Sequence, residues 1–190
     1  MAVDRRCCYV GRSTLHNAVD WLDSPNADQL SLLTRDANVT VENTEPSGSI
    51  PIMRFNHLHP PLNNPGIRRA LLGAVDQAEV MNAVAGTDHS YWRDRIGLFG
   101  PSSLLANEAG IEALSSPRDY AKVKRDLTEA GYRGEPIVVL SVSGNSAIVS
   151  ISQVGTDQLR KAGMNVDLQT MDVGTMMRRR TSKASPEKGG

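Results

Sequence analysis

The chain has 190 residues, and its 21 basic and 21 acidic side chains cancel to a formal net charge of zero. It therefore lacks the basic excess that grips nucleic acid or an anionic membrane surface, and no nucleic-acid partner is expected. No stretch approaches the ~20 consecutive apolar residues that span a bilayer, and with aromatics at only 4% any core must be built from aliphatic side chains.

The first residues, through Arg5, Arg6, Cys7 and Cys8, carry charge but no apolar run, so no signal peptide is read there. The adjacent cysteines lack the spacer of a metal or redox motif and reach disulfide geometry only with strain. Leu15, Val19 and Leu22 form a weak helical stripe, broken at residues 24–26, and residues 28–33 read as a short helix. Residues 39–42 alternate with period two, and after a turn at 46–49 an extended run resumes at 50–56. Pro51 confines that run to a sheet edge or a strand start.

Asn64 as cap and Pro65 as first helical residue open a long helix. Ile67, Ala70, Leu71, Ala74, Val75, Ala78 and Met81 keep its spacing as far as Gly86. Residues 87–116 are irregular, and a loop of that length is usually functional or wraps over a core. Ser116 then caps a helix with Pro117 in its first turn, and Gly131 ends it. Residues 135–142 are continuous and largely β-branched, as in a buried strand. A turn at 143–146 leads into a helix carrying Ile148, Ile151, Val154, Leu159 and Ala162, and Gly163 stops it. Residues 165–169 alternate as a strand, Asp172 caps a short basic helix through Arg178, Arg179 and Arg180, and residues 181–190 should fray. The order helix, strand, helix, strand, helix from residue 117 predicts an α/β fold, its two strands parallel and joined by a right-handed crossover.

Residues 53–71 are more specific. Arg54, Phe55 and Asn56, then Pro60 and Pro61, then Arg68, Arg69, Ala70 and Leu71 with Ala74, Val75 and Asp76 resemble the central motif of family 5 extracytoplasmic solute-binding proteins, the peptide, nickel and oligosaccharide receptors of ABC importers. Residues 119–132, ending in Glu129, Ala130, Gly131 and Tyr132, are similar to a second family motif, and residues 158–168 resemble its helix-to-strand unit. Residues 18–22 resemble the family's hinge-leading element without its glycine.

The resemblance implies a periplasmic-binding-protein-like second lobe, a mixed sheet flanked by helices. Residues 1–24 would be a poorly matched hinge-proximal segment, 25–180 a single α/β lobe and 181–190 a tail. It implies a non-catalytic substrate-binding component, one lobe only, of an ABC-type peptide or oligopeptide import system, with no cofactor. Its partners would be a peptide or other small solute and an ABC permease, and its location periplasmic, although the chain as written would stay cytoplasmic. The family chain is well over twice as long. Of the two charge clamps that the family's peptide receptors use, the acidic one would fall beyond residue 190. The loop at 141–146 has no arginine for a ligand carboxylate, so weak or lost peptide binding is expected.

Ser143, Asn145 and Ser146 are then the candidate ligand donors, with Tyr91 and Trp92 lining the cleft from the long loop. The alternative is a truncated relic or interaction module that no longer binds peptide and self-associates through its exposed inter-lobe face. His57 and His59 share the spacing of a metal pair, with His89, His16 or a distant Asp as third ligand, but the polar end of an extended run accounts for them, and no metal is expected. No Gly-x-Ser-x-Gly element occurs, so no nucleophilic enzyme is read. The three arginines are read as a solvated helix end.

Overall fold

Side-chain caps divide this chain into its helices. The computed structural model describes residues 20–23, 25–45 and 47–185. Helix α1 (Ala27–Leu33) opens with a reciprocal cap, in which the Asn26 side chain accepts from the Gln29 amide at 2.8 Å and the Gln29 side chain accepts from the Asn26 amide at 3.1 Å. Helix α2 (Pro65–Leu72) begins as expected, with Asn64 Oδ1 accepting from the Gly66 amide at 2.8 Å.

The single helix expected from Asn64 to Gly86 is two. After α2 the chain turns through residues 73–76, and α3 (Gln77–Ala85) restarts with the Asp76 carboxylate accepting from the Glu79 amide at 3.0 Å. The apolar period runs through the break because Ala74, in the turn, is fully buried beside Leu71. Two side chains distant in sequence hold the break open. Arg118 Nη1 donates to the carbonyls of Gly73 and Val75 at 3.3 and 2.7 Å, and Gln158 engages the Asp76 backbone. Those groups would otherwise continue the helical ladder. Gly73 itself admits the next layer, since a Cβ there would lie 3.0 Å from Val123 Cγ2.

The short α4 (Glu112–Ser115) leads to α5 (Tyr120–Glu129), whose cap is Asp119, accepting from the Lys122 amide at 2.8 Å. Ser116, the expected cap, instead donates from its hydroxyl to the Glu112 carbonyl at 2.6 Å and closes α4. Pro117 stands between the two helices.

Strand β1 (Pro136–Val142), helix α6 (Ser146–Lys161), strand β2 (Asn165–Met171) and helix α7 (Val173–Thr181) complete the order. The strands pair in parallel, Pro136 beside Asn165 through Val142 beside Met171, as expected of two strands joined by a helix. Tyr132 ties their starts together. Its hydroxyl donates to the Glu135 carbonyl at 2.9 Å and accepts from the Asn165 amide at 2.8 Å. Ile137 and Val166 face a core made with Ile67 and Leu71 of α2, Val123 and Leu127 of α5, and Leu159 of α6. On the other face α7 returns, and Arg179 Nη1 donates to Gln169 Oε1.

This is a mixed α/β fold with helices flanking a small sheet. The sheet differs from the mixed one expected: among the described residues it has two strands, both parallel. Residues 39–42 and 50–56 form no strand. Val41 is 39% and Ile52 70% exposed, Phe55 packs on the core beside the helices, and Pro51 offers no amide. The stripe at residues 14–22 and both cysteines lie mostly or wholly outside the described residues; Trp21, inside them, is exposed.

Candidate functional site

The turn that follows β1 is built from side chains that serve the backbone first. The Ser143 amide donates to the Met171 carbonyl at 2.8 Å, and its hydroxyl approaches the same oxygen at 3.3 Å, which locks the turn to the end of β2. Asn145 is the cap of α6, its side-chain oxygen accepting from the Ile148 amide at 3.0 Å. Gly144 takes φ of +87°, which lets the chain reverse between strand and helix. Ser146, the first residue of α6, is exposed.

Tyr91 and Trp92 differ in burial. Trp92 is 5% exposed, donates from its indole N–H to the Gly86 carbonyl at 2.9 Å, and stacks on His89 with ring centroids 4.0 Å apart. It anchors the loop. Tyr91, half exposed, lines a cavity of about 260 Å³ with Leu30 of α1, Val84 and Ala85 of α3, and Ser146 and Ala147 of α6. Two of the five sequence candidates, Tyr91 and Ser146, thus meet around one space. Ser143 and Asn145 shape the adjoining turn, and Trp92 anchors the loop one residue from Tyr91.

Gly86 makes this arrangement possible, and nothing in the sequence marks it beyond its role as a helix stop. It has φ of 75° and ψ of −168°, a region essentially closed to other residues. A Cβ there would lie 3.2 Å from the Ala27 Cβ, so a side chain at this position presses on the start of α1.

A second cavity, also about 260 Å³, is polar and lined by Asp76, Asp94, Arg95, Ser115 and Arg118 among others. Its chief cation is committed to the fold. Beyond its bonds to Gly73 and Val75, the Arg118 guanidinium donates to the carbonyls of Ala113 and Ser116. Arg95, the other cation of the lining, makes no side-chain hydrogen bond among the described residues and keeps its donors.

Among the described residues no group of three or more His, Cys, Asp or Glu side chains could hold an ion. His59 Nε2 is buried without a partner, and His16 lies outside the described residues. Among the arginines at the end of α7, Arg178 Nη2 donates to Thr175 Oγ1 at 2.8 Å while Arg179 turns to the sheet. No helix among the described residues is long and apolar enough to cross a membrane.

Comparison with known proteins bears on the whole chain. The chain is 33% identical over 172 residues to a probable peptide ABC transporter periplasmic-binding protein from Sinorhizobium fredii, covering 90% of this chain and 32% of that protein. It therefore spans about a third of the length of the curated relative it matches. Among solved structures it is similar to a putative peptide-binding protein, AppA, from Clostridium difficile, with a TM-score of 0.69, 14% identity, and coverage of 97% of this chain and 37% of that one. It is also similar to a dipeptide-binding protein of a Pseudoalteromonas species in complex with Met-Leu, with a TM-score of 0.55, 20% identity, and coverage of 88% and 33%. A third, the ABC transporter substrate-binding protein CtaP of Listeria monocytogenes, gives a TM-score of 0.58 and 21% identity over 69% of this chain and 27% of that one. At these identities the structural likenesses establish the fold. The family described as bacterial extracellular solute-binding proteins, family 5 (middle), matches residues 12–186. The chain belongs to the family 5 bacterial extracellular solute-binding proteins.

Proposed function

We propose that residues 25–180 act as one lobe of an extracytoplasmic solute-binding protein that captures peptide for an ABC-type importer and performs no catalysis. The reading rests on the convergence of Tyr91 and Ser146 on one cavity beside the carboxyl end of β1. In α/β folds, ligands settle in the crevice outside the carboxyl ends of the strands. The relatives add the ligand class: one is named a probable peptide transporter component and another is a dipeptide-binding protein holding Met-Leu. Its working partners are then a short peptide and a membrane permease, with residues 1–24 next to the hinge and 181–190 a tail.

In this role Ser146 offers a hydroxyl at the cavity, Ser143 and Asn145 fix the turn below it, and Tyr91 supplies the apolar wall. No arginine stands in residues 141–146, so a single lobe grips a peptide weakly. NMR titration of the full chain with the dipeptide Met-Leu at millimolar concentration tests this. The expected result is fast-exchange shifts confined to residues 143–147 and the cavity lining at Leu30, Val84, Ala85 and Tyr91. Shifts scattered over the surface, or none, would remove the reading.

A second reading, self-association, is favoured by the loop after α3. Leu98 is 74% exposed and Leu105 61%, with Phe99 and Leu104 beside them in sequence. An apolar surface of this kind is a sticking surface when left uncovered. Light scattering on a sizing column separates the readings, because self-association through this loop raises the mass with concentration and Leu98→Ser with Leu105→Ser abolishes the rise.

A further inference from the structure

Among the asparagines of the chain, Asn38 alone has a serine or threonine two positions on with a residue other than proline between. Asn38, Val39 and Thr40 thus form the acceptor tripeptide of N-glycosylation, in which a transferase reads the amide together with the hydroxyl. Asp36 adds an acid two residues before the asparagine, the further requirement of the bacterial enzymes of this class.

The fold presents this run where an enzyme can reach it. Helix α1 ends at Leu33, and residues 36–40 lead away from it in neither helix nor strand. Asn38 and Thr40 are exposed, and the Thr40 hydroxyl makes no hydrogen bond among the described residues. The turn is held by its own atoms. The Asp36 amide donates to the Leu33 carbonyl at 3.2 Å and the Val39 amide to the Asp36 carbonyl at 3.1 Å. Asp36 Oδ1 accepts from the Asn38 amide at 2.9 Å and from Asn38 Nδ2 at 3.1 Å. Beyond the end of α1 these bonds reach no other element, so the run can be drawn into an enzyme groove without opening the core. Residues 36–40 line neither cavity, and a modification there takes nothing from either lining.

We propose that Asn38 is an N-glycan acceptor. The proposal rests on the extracytoplasmic placement above, because oligosaccharide transfer of this kind takes place on the outer side of the cytoplasmic membrane. Asn38 Nδ2 forms a bond to the anomeric carbon of a polyprenyl-diphosphate-linked oligosaccharide. The bond from that carbon to the diphosphate oxygen breaks, its electron pair leaves with the polyprenyl diphosphate, and one amide proton passes to solvent. Drawing the run out of its turn separates the Asp36 carboxylate from the Asn38 amide, so both groups the enzyme reads become available in one step.

The test incubates the folded full chain with a purified bacterial oligosaccharyltransferase and a polyprenyl-diphosphate-linked oligosaccharide, and reads the intact mass. The expected result is a gain of one glycan, placed on Asn38 by peptide mass spectrometry. Asn38→Gln, Thr40→Ala and Asp36→Ala should each lose it, while Thr40→Ser and Asp36→Glu keep it. No gain in mass, or a glycan on another residue, overturns the site. Transfer to a synthetic peptide of residues 34–42 but not to the folded chain overturns it too, because exposure in the fold then does not make the run reachable. Fractionation of the native cells separates the site from the placement. A bare Asn38 on protein recovered from outside the cytoplasmic membrane overturns the modification and leaves the placement standing. Protein recovered from the cytoplasm overturns the placement, and the glycan falls with it.

Discussion

The side-chain amide of Gln158 pairs with the backbone of Asp76 on both sides. Its oxygen accepts from the Asp76 amide at 3.2 Å and its nitrogen donates to the Asp76 carbonyl at 3.0 Å, and the same nitrogen reaches Glu79 Oε2 at 2.7 Å. Gln158 is 2% exposed and lies 82 residues from Asp76, so one buried amide on α6 holds the break between α2 and α3. The cap of α3 and the core position of Ala74 both depend on that break.

Removing the clamp should therefore cost more than its surface suggests. Gln158→Ala leaves both backbone groups of Asp76 without their partner in a part-buried setting, and a loss of about 2–3 kcal/mol is expected in urea unfolding. Gln158→Glu keeps the shape but sets a carboxylate against Glu79, so its deficit should shrink as pH falls and the pair takes up a proton. Lys161 is the contrasting case. It pairs with Glu79 at 3.1 Å and with Asp157 at 3.0 Å, and both carboxylates raise its pKa, but it is 43% exposed. Solvent screens such a pair, and Lys161→Gln should unfold at nearly the wild-type midpoint.

Gly86→Ala should destabilise by about 1–3 kcal/mol, the range for a residue forced into a glycine-only conformation. The cause can be divided. In an Ala27→Gly background the contact at 3.2 Å is gone while the φ of +75° remains. Smaller loss there than in the native background would assign the difference to the contact with α1. Equal losses would place the whole effect in the backbone conformation.

The local signals were readable where one residue does one job. Asn64 with Pro65, Gly131, the apolar strand at 135–142 and Asp172 each announce a boundary through their own chemistry, and the structure has a boundary at each. The resemblance motifs also acquire a physical reason. Asn64 caps α2 through its oxygen while its nitrogen donates to the Ala130 carbonyl at 2.7 Å, so the motifs around residues 64 and 130 meet in one side chain. The break at residues 73–76 was hidden because its causes, Arg118 and Gln158, are distant in sequence and the helical period continues through it. The alternation at 39–42 and the extended run at 50–56 misled because such a pattern reports a strand only when a partner completes the ladder. At the candidate site residue type selected Tyr91, Trp92 and Ser146, but burial did not follow from type. That Trp92 is buried and Tyr91 exposed depends on the Gly86 carbonyl, a backbone atom that sequence does not display.

Asp172 gives the fold an acid-sensitive end. Its carboxylate accepts from the Thr175 hydroxyl at 2.6 Å and the Thr175 amide at 2.9 Å, and these bonds, the hydroxyl first, hold its pKa below the usual carboxylate value. In the unfolded chain the group returns to about 3.9. Between the two values the unfolded chain binds more protons than the folded one, so stability rises with pH there. The contribution is complete above the unfolded value and disappears as pH falls through the folded one. Amide exchange at Thr175 and Met176 should accelerate over that acid window. Asp172→Asn keeps an acceptor for the Thr175 amide and does not titrate, so its exchange should follow a flatter curve. Coincident curves for the two proteins would mean that the cap carboxylate adds nothing.

Trp92→Phe separates anchoring from bulk. The ring remains to fill its place beside His89, but the N–H that holds the Gly86 carbonyl at 2.9 Å is lost. One hydrogen bond contributes about 1 kcal/mol to stability, so unfolding should shift modestly. The larger effect is expected at the cavity, because the Gly86 carbonyl fixes the loop one residue from Tyr91. Amide shifts of Tyr91 and its neighbours in the loop should move, while those of the core around Leu71 and Leu127 stay in place. Unchanged Tyr91 shifts in a protein of lowered stability would show that the indole serves packing alone. In that case the wall of the cavity is set by Gly86 and α1 without it.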